Sequence, residues 1–202
     1  MMDKRIDQAY FDQFDVLELA QNLLGCYLCT HQQGHITKGL IVETEAYRGK
    51  DDKACHAYGY KRTKRTQTMF SKSGTAYVYL CYGIHHLFNI VAGPEGEPDA
   101  VLIRAIEPTV GVETMLSRRK FSKLKPQLTA GPGVLSKALG ISTSMNGLHL
   151  AHIDSDIWLE YGTKIPNSNI IKGPRIGIDY AEECVDWPWR FSINNNPYLS
   201  RK

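Results

Sequence analysis

The feature that most constrains the fold is a pair of apolar and aromatic segments separated by a short turn. The first segment spans residues 75–81 (TAYVYLC) and the second residues 84–92 (IHHLFNIVA), with Tyr82-Gly83 between them. Side chains alternate between the two faces of a strand, and glycine tolerates the positive φ angles that tight turns need. The pattern predicts an antiparallel hairpin with Tyr82 at its turn. The pattern alone leaves open whether that tyrosine folds back onto the protein or points outward.

Further strand and helix patterns surround this hairpin and predict an α+β fold. Asp15, followed by Glu18 three residues later, predicts a capped helix that ends at Gly25. No repeat, low-complexity tract or linker divides the chain, so residues 1–202 are predicted to form a single mixed domain. The other predicted strands are 26–31, 35–47, 100–108 and shorter ones near 157–162 and 173–178, and the other predicted helices are 111–120 and 131–140.

The cellular compartment is indicated by what the sequence lacks. No apolar run approaches the roughly 18 residues needed to cross a bilayer, and the first ten residues lack the apolar region of a signal peptide. Five cysteines form no dense framework, which is typical of reduced thiols in the cytoplasm. A cytoplasmic protein without a membrane partner is therefore expected, associated with the nucleoid if the source is bacterial.

One cysteine pair invites a metal hypothesis. Cys26 and Cys29 have the C-x-x-C spacing, and His31 and His35 follow closely. Positions i and i+3 of a strand face opposite sides, however, and the chain has no second C-x-x-C with which to complete a zinc site. The sequence therefore predicts no metal and no other cofactor.

Positive charge is concentrated in two segments. The net charge is +3, yet residues 48–72 hold eight cations and two acids, and residues 118–125 hold five cations and no acid. Such segregation favours a basic surface that binds a polyanion. The alternative is two solvated loops whose charges have no binding role.

Two carboxylates in the segment VETEAY are candidate catalytic groups. Strand alternation places Glu43, Glu45 and Tyr47 on one face and Val42 and Thr44 on the other. The apolar lead-in to this segment predicts a central strand, where a partly buried glutamate serves as a general base. The alternative is a pair of exposed glutamates that only increase solubility.

Other polar and aromatic residues in the strands also have two interpretations. Tyr77 and Tyr79 share a strand face, and a base stacked on an aromatic ring gains about 1–3 kcal/mol, but tyrosines also pack well in cores. Arg104 interrupts an apolar strand, so it must reach a carboxylate, a phosphate or water. Asn89 is either a satisfied core amide or a group that contacts a ligand.

Several of these motifs together resemble a known family. Residues 56–70 (HAYGYKRTKRTQTMF), 76–91 (AYVYLCYGIHHLFNIV), 101–108 (VLIRAIEP) and 173–178 (GPRIGI), with VETEAY, are similar to 3-methyladenine DNA glycosylases of the alkyladenine type. The resemblance runs from about residue 25 to 191. It implies a curved antiparallel sheet with flanking helices and a protruding β-hairpin. It also implies base-excision repair of double-stranded DNA containing damaged purines, and we expect a monomer.

The resemblance also implies how the glycosidic bond is cleaved. Glu45 aligns with the carboxylate that deprotonates the attacking water, and Arg104 with the cation near the flipped nucleotide and its phosphate. Tyr82 matches the DNA-binding wedge that fills the gap in the duplex, so its ring is expected to point outward. The expected product is an abasic site in an uncut strand.

The remaining matched positions form the implied purine-binding pocket. Tyr47, His56 and Tyr79 correspond to the side chains that sandwich the extruded base, and Asn89 to the residue that crowds the amino group of guanine. Tyr77 is expected only to support the strand. The preference among alkylated, deaminated and etheno purines stays open.

The sequence departs from the family at five positions near these motifs, one of which is Ile84, where relatives often have Met. Tyr60 and Lys64 stand where relatives often have Gly and Pro, and Ala130 and Val134 where Asn or Ser and Lys are common. Two other functions stay open at this point. One is a non-catalytic nucleic-acid-binding module, and the other is a hydrolase that acts on small nucleosides.

Overall fold

The computed structural model describes residues 5–201 and confirms the α+β prediction. The eight strands are β1 (Tyr27–Gln32), β2 (His35–Tyr47), β3 (Ala76–Cys81), β4 (His85–Ala92), β5 (Asp99–Val110), β6 (Ile157–Glu160), β7 (Ile170–Gly173) and β8 (Arg190–Ile193). The helices are α1 (Gln8–Asp12), α2 (Val16–Asn22), α3 (Val112–Arg119) and α4 (Pro132–Leu139).

The strands form one antiparallel sheet in which β2 is central. The order is β3-β4-β5-β2-β1-β6, with β8 joined to β2 and β7 joined to β8. The long β2 pairs with β5 on one side, while its other side pairs first with β1 and then, over residues 43–45, with β8. Both edges of the VETEAY segment are therefore hydrogen-bonded, and its two glutamates are fully buried.

One face of the sheet packs against helices to form the main apolar core. Ile41 and Ala46 of β2 belong to this core, together with Leu19 of α2 and Leu135 of α4. The hydroxyl of Thr44 donates a hydrogen bond of 2.7 Å to the carbonyl oxygen of Ala20, and this bond fixes α2 across β2. The face opposite the helices is therefore free to carry polar groups.

Two offset bulges set which side chains reach that opposite face. Ile41 pairs with Ile106, Glu43 with Ala105 and Thr44 with Ile103, so Val42 in β2 and Arg104 in β5 have no direct partner. A bulge inserts one residue and re-aims its neighbours. Strict alternation was therefore wrong for Val42, which packs with Ala105 in a small cluster away from the main core.

The predicted hairpin is present, and its tip points outward. Cys81 pairs with His85, and Ile84 donates its N–H to the carbonyl of Cys81 at 3.1 Å. Tyr82 and Gly83 both have positive φ, at 50° and 72°, as type I′ turns require. The Tyr82 side chain has no place in the core and is 92% exposed. Tyrosine rarely adopts this backbone conformation, so the turn holds strain next to an exposed ring.

A short strand was predicted near residues 173–178, and the strand that is present there lies a few residues earlier in the chain. Strand β7 ends at Gly173, and residues 174–178 form a loop. The pattern misled because its isoleucines contact other elements from a loop; Ile178, for example, packs in a small cluster with Ala181. The short elements α1 and β8 were not predicted, since neither has enough residues to show a period.

The two basic segments differ in how much charge they expose. Arg118 donates to the carbonyls of Ala138 and Gln32, and Arg119 donates to the carbonyl of Leu128. These two arginines therefore satisfy chain carbonyls, and the basic surface at 118–125 is smaller than its composition predicts. Across residues 5–201, none of the helices is long and apolar enough to cross a membrane.

The capping box of α2 gives a prediction about stability. Asp15 accepts from the N–H groups of Leu17 and Glu18, both at 2.8 Å, and Glu18 accepts from the N–H of Asp15. Asp15→Ala should lower the free energy of unfolding by about 1 kcal/mol, because it leaves those two donors without this acceptor. Urea unfolding measures the change, and Asp15→Asn, which keeps a capping oxygen, should stay close to the wild type. Equal loss in both variants would contradict the cap.

Candidate active site

A cleft of about 490 Å³ lies on the face of the sheet opposite the helices. The hairpin β3–β4, the ends of β2 and β5, the segment after β2 and the loop 174–178 all contribute to it. Six of the seven predicted site residues line it, and the seventh, Glu45, lies directly behind its wall. The lining includes Tyr47, His56, Arg65, Met69, Tyr77, Tyr79, Tyr82, Asn89, Arg104, Ile176 and Tyr180.

Glu45 is held by donors from three different parts of the chain. Its Oε1 accepts from the N–H of Ile176 at 2.8 Å. Its Oε2 accepts from the hydroxyl of Tyr47 at 2.7 Å and from Nη1 of Arg104 at 3.1 Å. All three donors belong to residues that line the cleft. A buried carboxylate is tolerated only when charge and hydrogen bonds compensate for lost water, and this arrangement supplies both.

Arg104 forms an internal ion pair with a carboxylate, which was one of the partners that its place in an apolar strand predicted. Its guanidinium lies 3.1 Å from Glu45 and 3.8 Å from Glu43, and its Nε donates to the hydroxyl of Ser200 at 3.3 Å. The β5 bulge turns the side chain toward these acids. Arg104 also lines the cleft, so its guanidinium can contact a ligand in the cleft while it is paired with Glu45.

The two carboxylates of the VETEAY segment differ in what they face. Glu43 accepts from Nη1 of Arg190 at 3.0 Å and from the N–H of Ser200 at 2.7 Å. These contacts join β2 to β8 and to the C-terminal segment, and Glu43 does not line the cleft. Of the two acids, only Glu45 accepts hydrogen bonds from residues that line the cleft, whereas Glu43 reaches the lining only through its 3.8 Å ion pair with Arg104.

Aromatic rings form one wall of the cleft. His56 packs edge-on against Tyr79, with ring centroids 4.7 Å apart, and Tyr77 lies beside Tyr79 at 5.4 Å. The Nδ1 of His56 is 3.1 Å from the hydroxyl of Tyr77. Tyr77 was expected only to support the strand, but it lines the cleft and fixes the ring of His56. The sequence signal that could have placed Tyr77 in the cleft is its spacing of two residues from Tyr79, which puts both rings on one face of the strand.

Burial keeps these rings uncharged. Burial, with the nearby charge of Arg65, lowers the pKa of His56 to about 4. Burial also raises the pKa of Tyr77 to about 12 and that of Tyr79 well above its usual range. Burial and the adjacent Glu45 raise the pKa of Tyr47 as well. At neutral pH the wall therefore presents neutral, electron-rich faces, which attract a flat cation.

Asn89 is a buried amide whose hydrogen bond is satisfied and which also lines the cleft. Its Nδ2 donates to the carbonyl of Tyr77 at 3.1 Å across the hairpin. The residue is 4% exposed and lines the cleft. The amide is thus a satisfied group whose position is fixed by the strand pairing, and it narrows the cleft between β3 and β5.

A buried ion pair that sequence reasoning missed supports Glu45 from behind. Arg175 pairs with Asp52, through Nη2 at 2.7 Å and a second contact through Nη1, and donates to the carbonyl of Ala46 at 2.8 Å. Its guanidinium lies 4.8 Å from the ring centre of Tyr47. The next residue, Ile176, supplies the N–H that binds Glu45. The sequence signal that could have indicated this pair is Arg175, the one charged residue of the otherwise apolar motif GPRIGI.

A group of exposed cations lies in the sequence between His56 and Tyr77 of the aromatic wall. Lys61, Arg62 and Lys64 are exposed on the segment before Met69. Tyr60, one of the departures from the family, has a φ of 61° and donates its hydroxyl to Glu97 at 2.6 Å. This bond ties the start of the basic segment to the connection between β4 and β5.

The cysteine pair does not form a ligand set. Cys26 lies near Asn22 and Tyr10, within the main core, whereas Cys29 is buried outside that core. Among the residues that the structure describes, no three His, Cys, Asp or Glu side chains are grouped as metal ligands would be.

The buried pair predicts a contrast between two adjacent aspartates. Asp52→Asn should lower the free energy of unfolding by on the order of 3 kcal/mol, because it leaves the Arg175 charge buried without its partner. Asp51→Asn removes a partly exposed pair with Arg48 and should change it by less than about 1 kcal/mol. Denaturant unfolding of both variants tests this, and similar losses would contradict a special role for Asp52.

The lowered pKa of His56 predicts a window of pH-dependent stability. As pH falls from about 6.5 to about 4, the unfolded chain binds a proton at this position and the folded chain does not, so the free energy of unfolding falls. His56→Gln should make this fall smaller, by up to about 3 kcal/mol. Urea unfolding at several pH values measures the difference. The exposed His35→Gln serves as control, and parallel profiles for His56→Gln and the wild type would contradict the prediction.

The chain is similar to one family over nearly its whole length. A family model described as methylpurine-DNA glycosylase (MPG) matches residues 9–197. A protein of Chlamydia pneumoniae is 49% identical over 190 residues, covering 94% of this chain and 95% of its own. A protein of Bacillus cytotoxicus is 46% identical over 203 residues, covering 95% and 97%, and one of Clostridium tetani is 46% identical over 202 residues, covering 96% and 98%.

All three relatives carry the name "Putative 3-methyladenine DNA glycosylase". The family match includes the residues that line the cleft, Glu45 and the three residues that donate hydrogen bonds to it. The chain therefore belongs to the methylpurine-DNA glycosylase family and is a DNA glycosylase of base-excision repair.

Proposed function

We propose that this protein removes alkylated purines, 3-methyladenine among them, from double-stranded DNA by hydrolysis of the N-glycosidic bond. The target base leaves the duplex, enters the cleft, and is released by a water molecule that Glu45 activates. The observation that carries the proposal is the bonding of Glu45 to three residues that line an aromatic cleft. The names of the relatives agree with this substrate class.

Base flipping is the step for which the hairpin tip is suited. A base inside a duplex cannot reach a cleft behind the protein surface, so it must swing out at a cost of a few kcal/mol. Tyr82 is 92% exposed at the end of β3 and also lines the mouth of the cleft. We assign its ring the role of a wedge that fills the space the base leaves. The exposed Lys61, Arg62 and Lys64 would contact phosphates nearby.

The cleft then selects for a flat, cationic base. An alkylated purine carries positive charge, and the rings of Tyr47, His56 and Tyr79 are neutral at physiological pH. Stacking and cation–π attraction favour such a base over an uncharged one. Asn89, fixed by its bond to Tyr77, is placed to crowd a purine that bears an extra amino group.

The chemistry follows from the position of one carboxylate. The positive charge of the alkylated base makes it a good leaving group, and C–N cleavage develops positive charge on the sugar. Glu45 stabilises that charge and accepts the proton of the attacking water, while Arg104 and the N–H of Ile176 hold the carboxylate in place. General-base catalysis contributes typically 10²–10⁴-fold, so leaving-group activation and positioning must supply the rest.

The products are a free base and an abasic site, since hydrolysis leaves the strand uncut. One copy of the chain holds the complete cleft, so we propose that residues 1–202 act as a single monomeric domain on damaged DNA. No cofactor is required by this scheme.

The role of Glu45 predicts a separation of binding from catalysis. Glu45→Gln should lower the single-turnover rate of base release from a methylated duplex by about 10²–10⁴-fold, because an amide cannot accept the proton of water. Binding to the damaged duplex should persist, as measured by fluorescence anisotropy. The matched control is Glu43→Gln, which removes the other buried carboxylate and should keep the rate within a few-fold of wild type. Normal turnover by Glu45→Gln would refute the mechanism.

The wedge role of Tyr82 predicts a loss specific to damaged duplex. Tyr82→Ser should weaken binding to a lesion-containing duplex by roughly 5–100-fold, since a stacked aromatic ring contributes about 1–3 kcal/mol. A 2-aminopurine beside the lesion reports flipping through its fluorescence. Tyr161→Ser, which changes another exposed tyrosine away from the cleft, is the control. The wedge assignment fails if both variants give the wild-type fluorescence change.

A further inference from the structure

One cation of the basic segment contacts the aromatic wall itself. The guanidinium of Arg65 lies 4.6 Å from the ring centre of Tyr79, and its Nη2 is 3.1 Å from Nε2 of His56. Arg65 is exposed to solvent yet also lines the cleft. Its neighbour Arg62 instead covers the ring of Phe70 at 4.8 Å and does not line the cleft. The scheme above gives Arg65 no part in flipping or in bond cleavage.

The contact with Arg65 fixes the hydrogen positions on His56. A guanidinium only donates hydrogen bonds, so Nε2 of His56 must accept and carries no proton. The proton of the neutral ring therefore lies on Nδ1, which donates to the hydroxyl of Tyr77 at 3.1 Å. The groups that face this imidazole are Arg65 from one side and Tyr77 and Tyr79 from β3. Arg65 thus orients one of the rings that contact the base.

The same guanidinium also places a fixed positive charge at the wall. A cationic purine stacked against Tyr79 and His56 would lie close to this charge and be repelled by it. A neutral purine of the same shape would meet no such repulsion. Arg65 therefore opposes the attraction that the aromatic rings exert on cations, and the preference for cationic over neutral bases reflects both effects.

We propose that Arg65 is a specificity-determining residue, which holds His56 in its Nδ1–H form and reduces the preference of the cleft for cationic over neutral purines. This inference rests on the proposed function, because it assumes that a flipped purine occupies the cleft. It assigns a discriminating role to a residue of the segment KRTKR, whose other cations lie outside the cleft.

The test compares the affinity of the protein for two uncleaved lesions, each placed in a duplex of the same sequence. One duplex contains cationic 7-methylguanine and the other contains neutral 1,N6-ethenoadenine, each on a 2′-fluorinated sugar that resists hydrolysis. Arg65→Gln should raise the ratio of the two affinities, cationic over neutral, about ten-fold relative to the matched control Arg62→Gln. Arg62→Gln removes the same charge from the same segment, so general effects on DNA binding cancel. Arg65→Lys keeps the charge and should keep the wild-type ratio.

A second measurement reports the His56 contact without DNA. Nitrogen NMR shifts of the imidazole should show the Nδ1–H form in the wild type and in Arg62→Gln. In Arg65→Gln the population of the Nε2–H form should rise. Circular dichroism melts establish that each variant is folded, which is expected because Arg65 is exposed.

The outcomes separate this inference from the proposed function. Equal affinity ratios in Arg65→Gln and Arg62→Gln, or an Arg65→Lys variant that behaves like Arg65→Gln, would overturn the specificity role. An Nε2–H imidazole in the wild type would overturn the orienting role. If the wild type bound neither lesion better than undamaged duplex, lesion recognition and therefore the proposed function would fail, and this inference would fail with it.

Discussion

The site depends on the burial of one negative charge. Glu45 lies on the central strand with no exposure to solvent, so its carboxylate needs donors that belong to the protein. Three residues from three segments donate these hydrogen bonds: Tyr47 from the same strand, Arg104 from the neighbouring strand, and Ile176 from a loop. Each donor also lines the cleft. The requirement to stabilise the charge therefore fixes much of the geometry that would act on a substrate.

The rest of the fold keeps those donors in place. The β5 bulge turns Arg104 toward the carboxylates, and the ion pair of Asp52 with Arg175 fixes the loop that carries Ile176. Helix α2 braces β2 from the other face through the Thr44 hydroxyl. The turn at Tyr82, by contrast, is exposed, and it is the element that we propose contacts DNA. The sheet thus supports the buried Glu45 behind the wall of the cleft, and at the mouth of the cleft it supports the exposed ring of Tyr82 on a strained backbone turn.

Regular elements were predictable because their patterns are local. The hairpin around Tyr82, the long strand of Glu45 and the cap at Asp15 follow from alternation and turn chemistry over a few residues. What was missed depends on distant contacts: the bulge at Val42, the pairing of Asp52 with Arg175 across more than 120 residues, and the loop at 174–178. Resemblance to a family located the cleft residues, whereas Tyr77 and Arg65 emerged only from their contacts.

The central claim is that this cleft hydrolyses the bond between a methylated purine and its sugar. The most direct test incubates the wild-type protein with a methylated duplex and separates the products by chromatography with mass detection. Free methylated purine should appear, 3-methyladenine among the products, together with a full-length strand that carries an abasic site. Tight binding to the duplex without any released base, or release from free nucleosides but not from the duplex, would contradict it.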